Sequence, residues 1–367
     1  MIGRRGVLAG AAGLGLSGLG GGVGLLGAGG VGAARAAGRG SVAGSGPALA
    51  SRKPARLAEG DVVGLVSPAT YSADRYVLDA VVETLRAMGL RPKVGAHALD
   101  RFGYLAGDDA ARAGDVNAMF ADPAVKAVFA VRGGWGSARI LPHLDWDVIR
   151  ANPKLLVGYS DITALHMAFA ARAGFPTLHG PVGASAWTRF TWENFRAVAF
   201  EGTAPMLLRN PPGDEDRLAP RQGRTRAFRP GAARGRLLGG NLTVLSALVG
   251  TPWLPDFTGA ILFLEDIEEA EYRIDRMLTQ LAQAGVLGKA AGVVFGQCTD
   301  CVAKSGAQAQ GFTLAQVLEQ HLGGLGKPAF QGLAVGHVDD QFTLPCGVLA
   351  ELDAGAGTVR LLEAAVV

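Results

Sequence analysis

The chain has 367 residues, about two domains' worth at roughly 150 residues each. Hydrophobic residues make up 49% and charged residues 18%, enough for a large core, which excludes intrinsic disorder and small disulfide-stapled scaffolds. The formal charge is only +3, and the 55 glycines follow no G-x-y period, so a collagen-like chain is excluded as well.

The glycine excess is local, with 16 of the 55 falling in residues 1–40. Residues 1–36 carry Arg4, Arg5 and Arg35, no acid, an uncharged stretch Gly6–Ala34 and a closing Ala34-Arg35-Ala36. A charged start, an apolar middle and an A-x-A-like end follow the plan of a bacterial export signal, and the paired arginines before a weakly hydrophobic stretch favour the twin-arginine route. The competing reading is an uncleaved membrane anchor, since Gly6–Ala34 is long enough to cross ~30 Å of hydrocarbon. Its glycine content makes a poor membrane helix, and the absence of a nearby cysteine argues against a lipoprotein. The expected localisation is therefore exported and periplasmic, without stable membrane insertion after cleavage. Removing residues 1–36 takes the formal charge to zero, which leaves no electrostatic footprint for nucleic acid.

Residues 37–56 form a lead-in. In 57–204, Asp61–Ser67 reads as a buried strand, and Val77, Leu78, Val81, Val82, Leu85 and Met88 recur at helical spacing up to a capping Gly89. Strands Val125–Val131 and Leu155–Val157 and a helix from Asp161 to Ala173 continue the alternation, which argues for a parallel sheet with helices on both faces. Residues 205–235, rich in proline and arginine, read as a linker. Residues 236–367 read as a second α/β domain. Its strands are expected at Ala260–Leu264 and Gly292–Phe295, its helices at Tyr272–Gln283 and Thr313–Leu322, with short β-rich segments after Leu333.

Three places carry candidate chemistry. In Gly158-Tyr-Ser-Asp-Ile-Thr163 a strand runs into a turn and then at once into a helix. A serine there is either a nucleophile held proud of the sheet, with the Asp161 N–H available to an oxyanion, or a plain N-cap. Arg132-Gly-Gly-Trp-Gly136 follows a strand and lets the backbone approach a ligand closely or lend an N–H to an oxyanion, but it lacks P-loop and G-x-G-x-x-G spacing, and taken alone a tight structural turn is the better reading. Leu262-Phe-Leu-Glu-Asp266 and Gly336-His337 put acids and an imidazole at strand ends, where parallel sheets place their sites. Of the six histidines, His97, His143, His166, His179, His321 and His337, His166 lies inside a helix and reads as a packed or surface residue, and a lone histidine at a strand end such as His337 is more often structural than catalytic. No H-E-x-x-H or comparable ligand cluster occurs, so no metal is expected. Cys298-Thr-Asp-Cys301 cannot build a four-ligand zinc site alone; a disulfide among Cys298, Cys301 and Cys346 and an incidental pair both remain open.

Together with Gly60–Pro68, His179-Gly-Pro181, Gly239-Gly-Asn-Leu242 and Tyr272–Arg276, these motifs fall in an order that resembles the LD-carboxypeptidase family of serine peptidases over about residues 57–365. The family includes muramoyl-tetrapeptide carboxypeptidases and microcin C immunity peptidases. The resemblance implies an N-terminal doubly wound parallel-sheet α/β domain, a C-terminal α/β domain and an active site in the cleft between them. It implies a triad of Ser160 as nucleophile, His337 as base and Glu265 as orienting acid, with Glu269 the competing acid. It further implies an oxyanion hole from the Gly134 and Asp161 N–H groups, a homodimer and no metal or organic cofactor. Arg132 and Trp135, on the same turn, are the candidate substrate-binding residues. The implied substrate is a peptidoglycan-derived tetrapeptide that loses its terminal D-alanine; a peptide-nucleotide antibiotic is the alternative. A two-lobed periplasmic solute-binding protein is the alternative from another class.

The export reading has a direct check. Replacing Arg4 and Arg5 together by lysine is expected to trap precursor in the cytoplasm, measured by fractionation; undiminished export of the double variant would rule out the twin-arginine route.

Overall fold

Short β-branched and apolar runs between glycine and proline turns become strands. The computed structural model, which describes residues 52–211, 218, 223–302 and 311–367, gathers them into two sheets. The expected export signal lies outside the described residues. Among those residues no helix is long and apolar enough to cross a membrane.

The first sheet contains β1 (Val62–Val66), β2 (Arg91–Val94), β3 (Val125–Ala130), β4 (Leu155–Gly158) and β5 (Thr177–His179). They lie parallel in the order β5-β4-β3-β1-β2. β4 and β5 are buried throughout, as a sheet covered on both faces requires, while β2 is the exposed edge, where Pro92 is tolerated. The helix Arg75–Ala87 is capped by Asp74, which accepts from the Val77 N–H, and Gly89 follows it with φ +82°. Helices Asp109–Ala121 and Thr163–Arg172 meet through Phe120 and Phe169, whose ring centres are 5.4 Å apart. Strand order reverses between β1 and β3, and at such a point the loops leaving the carboxyl ends open a crevice.

The second sheet contains β6 (Met206–Leu208), β7 (Arg226–Arg229), β8 (Ala232–Asn241), β9 (Ile261–Ile267), β10 (Gly292–Thr299), β11 (Ala329–Leu333), β13 (Leu349–Asp353) and β14 (Thr358–Leu361). β8 to β11 are parallel at its centre and the outer strands are antiparallel. Three expectations are corrected here. Residues 205–235 are not a bare linker: they supply the edge strands β6 and β7 and the start of β8, positions where arginine and proline are compatible with pairing. β9 does not stop at Leu264 but runs through Glu265 and Asp266, because β8 and β10 continue alongside it. The segment after 236 does not stay in one sheet either. β12 (Leu344–Cys346) crosses to the first sheet and pairs antiparallel with β5.

The two sheets also meet at Thr163, whose hydroxyl accepts the Asn241 N–H at 2.9 Å. A Cβ on Gly240, at φ +148°, would stand 2.4 Å from that same oxygen, so only glycine fits.

Two histidines are sealed inside the first sheet. His166 lies between the Thr177 hydroxyl (2.8 Å) and the Gly158 carbonyl (2.7 Å), and burial pulls its pKa down to about 4. A carbonyl only accepts, so Nε2 carries the proton and Nδ1 accepts from Thr177. His179 is fully buried against Phe263, with neither ring nitrogen hydrogen-bonded among the described residues, and burial takes its pKa well below the ordinary value. Below the unfolded imidazole value of ~6.5 the unfolded chain takes up protons that these rings refuse, so stability is lost as pH falls from there toward 4. For His166 the full loss is roughly 3 kcal/mol. Asp266, pushed up to about 6 by burial, acts with the opposite sign. The test is therefore differential: His166→Gln is expected to lose less urea stability than the parent between pH 7 and 4.5, and equal losses would contradict the assignment.

Candidate active site

β4 ends in a sharp elbow. Ser160 has φ +64°, a left-handed conformation that a residue with a Cβ adopts only under constraint. A Cβ on Gly158 would lie 2.9 Å from Ile162 Cγ1, so Ile162 closes the elbow from above and fixes glycine two residues before the serine. Ser160 opens a short 3₁₀ turn, Ser160–Ile162, that runs into the helix Thr163–Arg172. It is not the N-cap that the sequence left open; Tyr159 occupies that position.

The serine side chain has a partner from the other sheet. His337 Nε2 stands 3.1 Å from Ser160 Oγ, and His337 Nδ1 stands 2.7 Å from Glu265 Oε2. A carboxylate only accepts, so Nδ1–H donates to Glu265 and Nε2 is left to accept from the serine hydroxyl. Glu265 is completely buried, and its other oxygen, Oε1, has no hydrogen-bond partner among the described residues. Gly336 makes room for it: a Cβ there would sit 2.2 Å from Oε2. Glu269 is engaged elsewhere, 3.6 Å from Arg273 and 3.5 Å from the Thr243 hydroxyl. His337 is braced by the Tyr159 ring edge-on, with centres 4.9 Å apart, and by the Thr299 hydroxyl, which donates to its carbonyl at 2.6 Å.

A cavity of about 300 Å³ opens over this group, lined among others by Arg132, Gly133, Gly134, Tyr159, Ser160 and His337. Gly133 is in contact with the serine: a Cβ there would fall 3.0 Å from Ser160 Cβ and 3.5 Å from the Asp161 nitrogen. The Gly134 N–H belongs to the peptide that follows it. Gly134 itself, at φ +111°, faces Thr70, whose hydroxyl accepts the Trp135 N–H at 3.0 Å. Arg132 borders the cavity and donates to the Tyr71 carbonyl at 3.2 Å, whereas Trp135 is 45% exposed and does not line the cavity.

Several supports carried no sequence signal. Arg112, fully buried, donates to the Gly136 carbonyl at 2.9 Å and to the Pro68 carbonyl, tying the glycine turn to the end of β1. Asp161 accepts the Ser137 N–H at 2.7 Å, so its side chain binds the elbow to the same turn; burial raises its pKa. Asp266, one residue from Glu265 and on the opposite face of β9, accepts from Asn241 Nδ2 and from the N–H and hydroxyl of Thr243. That motif, Gly239–Leu242, is thus a brace for the acid strand. Cys298 and Cys301 form a disulfide, while Cys346 is free and buried. Among the described residues no group of three or more His, Cys, Asp or Glu is placed to hold a metal ion.

Comparison with known proteins gives the family. Residues 63–180 match the LD-carboxypeptidase N-terminal domain and residues 234–352 the LD-carboxypeptidase C-terminal domain. A probable murein peptide carboxypeptidase of Bacillus subtilis is 36% identical, over 86% of this chain and 95% of that one. The microcin C7 self-immunity protein MccF of Escherichia coli is 28% identical, over 84% of this chain and 95% of its own. The solved structure of muramoyltetrapeptide carboxypeptidase from Oxalobacter formigenes is 30% identical with a TM-score of 0.71, covering 83% of this chain and 99% of that one. With both domains matched in order, over one mixed α/β architecture, this chain belongs to the LD-carboxypeptidase family.

Proposed function

We propose that this protein is an exported serine carboxypeptidase that hydrolyses the L–D peptide bond of peptidoglycan tetrapeptides and releases the terminal D-alanine. The observation that carries the reading is the Ser160–His337–Glu265 chain of hydrogen bonds, closed at 3.1 and 2.7 Å in a cavity that also holds a cation. Membership of a peptidase family replaces the solute-binding alternative.

The mechanism follows from the donors and acceptors. Ser160 Oγ attacks the carbonyl carbon while His337 Nε2 takes the hydroxyl proton, and the buried Glu265 carboxylate stabilises the imidazolium that forms. The Gly134 and Asp161 N–H groups face the developing oxyanion. The imidazolium then gives its proton to the departing amine as the C–N bond breaks. Water repeats the sequence on the acyl-enzyme, with His337 again the base. Arg132 recognises the free carboxylate of the leaving residue. The disulfide supports an oxidising compartment, where such bonds persist, and so favours the periplasm.

Ser160→Ala and His337→Ala are each expected to abolish turnover, and the double variant to be little worse, because the pair acts as a unit. Glu265→Gln should cost roughly 10⁴-fold in kcat, the effect of a wrongly held imidazole, while Glu269→Gln should be mild; the reverse ranking would remove Glu265 from the triad. Amidating the substrate's C-terminus removes the charge that Arg132 would meet and leaves the scissile bond intact. Turnover should fall steeply, and equal turnover of the two peptides would identify an endopeptidase or esterase instead.

A further inference from the structure

Glu265 sits within β9 and Ser160 on the tight turn directly after β4, but His337 sits on the longer loop between β11 and β12. Thr188 and Thr191 hold its far side, through Asp340, Asp339 and Gln341, and at His337 itself a further contact comes from outside the triad. Thr299, the last residue of β10, donates its hydroxyl to the His337 carbonyl at 2.6 Å. Thr299 lies between Cys298 and Cys301, which are joined by a disulfide. The turn that the bond closes is tied to the acid strand: Cys298 and Thr299 are in register with Asp266 and Ile267, and the Thr299 carbonyl accepts the Glu268 N–H at 2.8 Å. Within it Asp300 has φ +55°, and across the ladder Glu268 has φ +56°, two left-handed residues that cost free energy and need outside constraint to persist.

We propose that Thr299 is a positioning residue for His337 and that the Cys298–Cys301 disulfide holds it in place, so that the rate of the serine chemistry depends on the redox state of this pair. The inference rests on the reading of Ser160 and His337 as nucleophile and base. Cys298 is half-buried and borders a cavity of about 230 Å³, whereas Cys301 is buried, so an incoming thiolate meets Cys298 first. A dithiol reductant forms a mixed disulfide there and expels the Cys301 thiolate. Its second thiol then displaces Cys298, leaving the reductant oxidised by two electrons and both cysteines reduced and protonated. Freed from its closure, the turn relaxes from its left-handed geometry and the Thr299 hydroxyl leaves the His337 carbonyl.

The test reads Ser160 directly, by the rate of its labelling with a fluorophosphonate, with kcat and KM on a tetrapeptide alongside. Treating the purified protein with dithiothreitol should slow labelling and kcat by roughly 10- to 100-fold with KM little changed, the scale that a misplaced catalytic group costs. Reoxidation should restore both rates. Cys298→Ser with Cys301→Ser should fix the slow rate and abolish the response to dithiothreitol. Thr299→Val should be slow without any reductant, and Thr299→Ser, which keeps the hydroxyl, should be near the parent. An unchanged labelling rate after alkylation and mass measurement show both cysteines reduced would overturn the inference, as would Thr299→Ser as slow as Thr299→Val. Failure of the untreated parent to label at Ser160 overturns the reading beneath it, and the inference with it.

Discussion

The hydrogen bond between His337 and Ser160 joins the turn that ends β4 of the first sheet to the loop that leaves β11 of the second, and several unusual local features among the described residues serve it. It requires a serine lifted off the carboxyl end of β4 and an imidazole carried out of the second sheet to meet it. The first demand fixes the left-handed Ser160 and the glycine beneath Ile162. The second fixes the crossing from β11 to β12, which leaves one sheet and enters the other within about ten residues.

Charge is handled with similar economy. Glu265 is wholly buried with one of its oxygens unpaired among the described residues, a costly arrangement that the imidazole at 2.7 Å compensates. The neighbouring Asp266 meets the same burial by collecting four hydrogen bonds from Asn241, Thr243 and Ile267. Behind them, burial keeps His166 and His179 neutral near pH 7, so neither ring adds a positive charge on that side of the glutamate.

How much of this could be read from the residues alone depended on how local each cause was. The elbow was legible because Gly158, Ser160 and Ile162 act on one another across four positions. The α/β alternation was legible because β4 and the first four residues of β9, Ile261 to Leu264, are buried, continuous apolar runs. Choosing between Glu265 and its neighbours was harder: strand alternation sends Glu265 toward His337 and Asp266 toward Thr243, but only if the strand continues past Leu264, which depends on β8 and β10. β6 and β7 were illegible for a related reason: each is three or four residues long, too short to show a period, and is defined by a partner far away in the chain. β12 fell within an expected β-rich segment, but its pairing with β5 depends on a strand over 160 residues earlier and could not be read. Arg112 was hidden too, since a buried arginine that ties two turns together looks like any other until the carbonyls around it are placed.

β12 ties the assembly of the catalytic group to the order of synthesis. Because this strand borders β5 in the first sheet yet follows His337 in the chain, the sheet that carries the nucleophile has a bare edge until residue 346 has been made. A nascent chain therefore carries the strands β1 to β5 early, but it holds Ser160 without His337 through nearly half of its elongation. The Ser160–His337 contact can form only late, when the same stretch of polypeptide delivers the imidazole and covers the β5 edge. A chain cut between β5 and His337 carries Ser160 without its imidazole partner and leaves the β5 edge unpaired, the kind of edge that invites pairing with a neighbour.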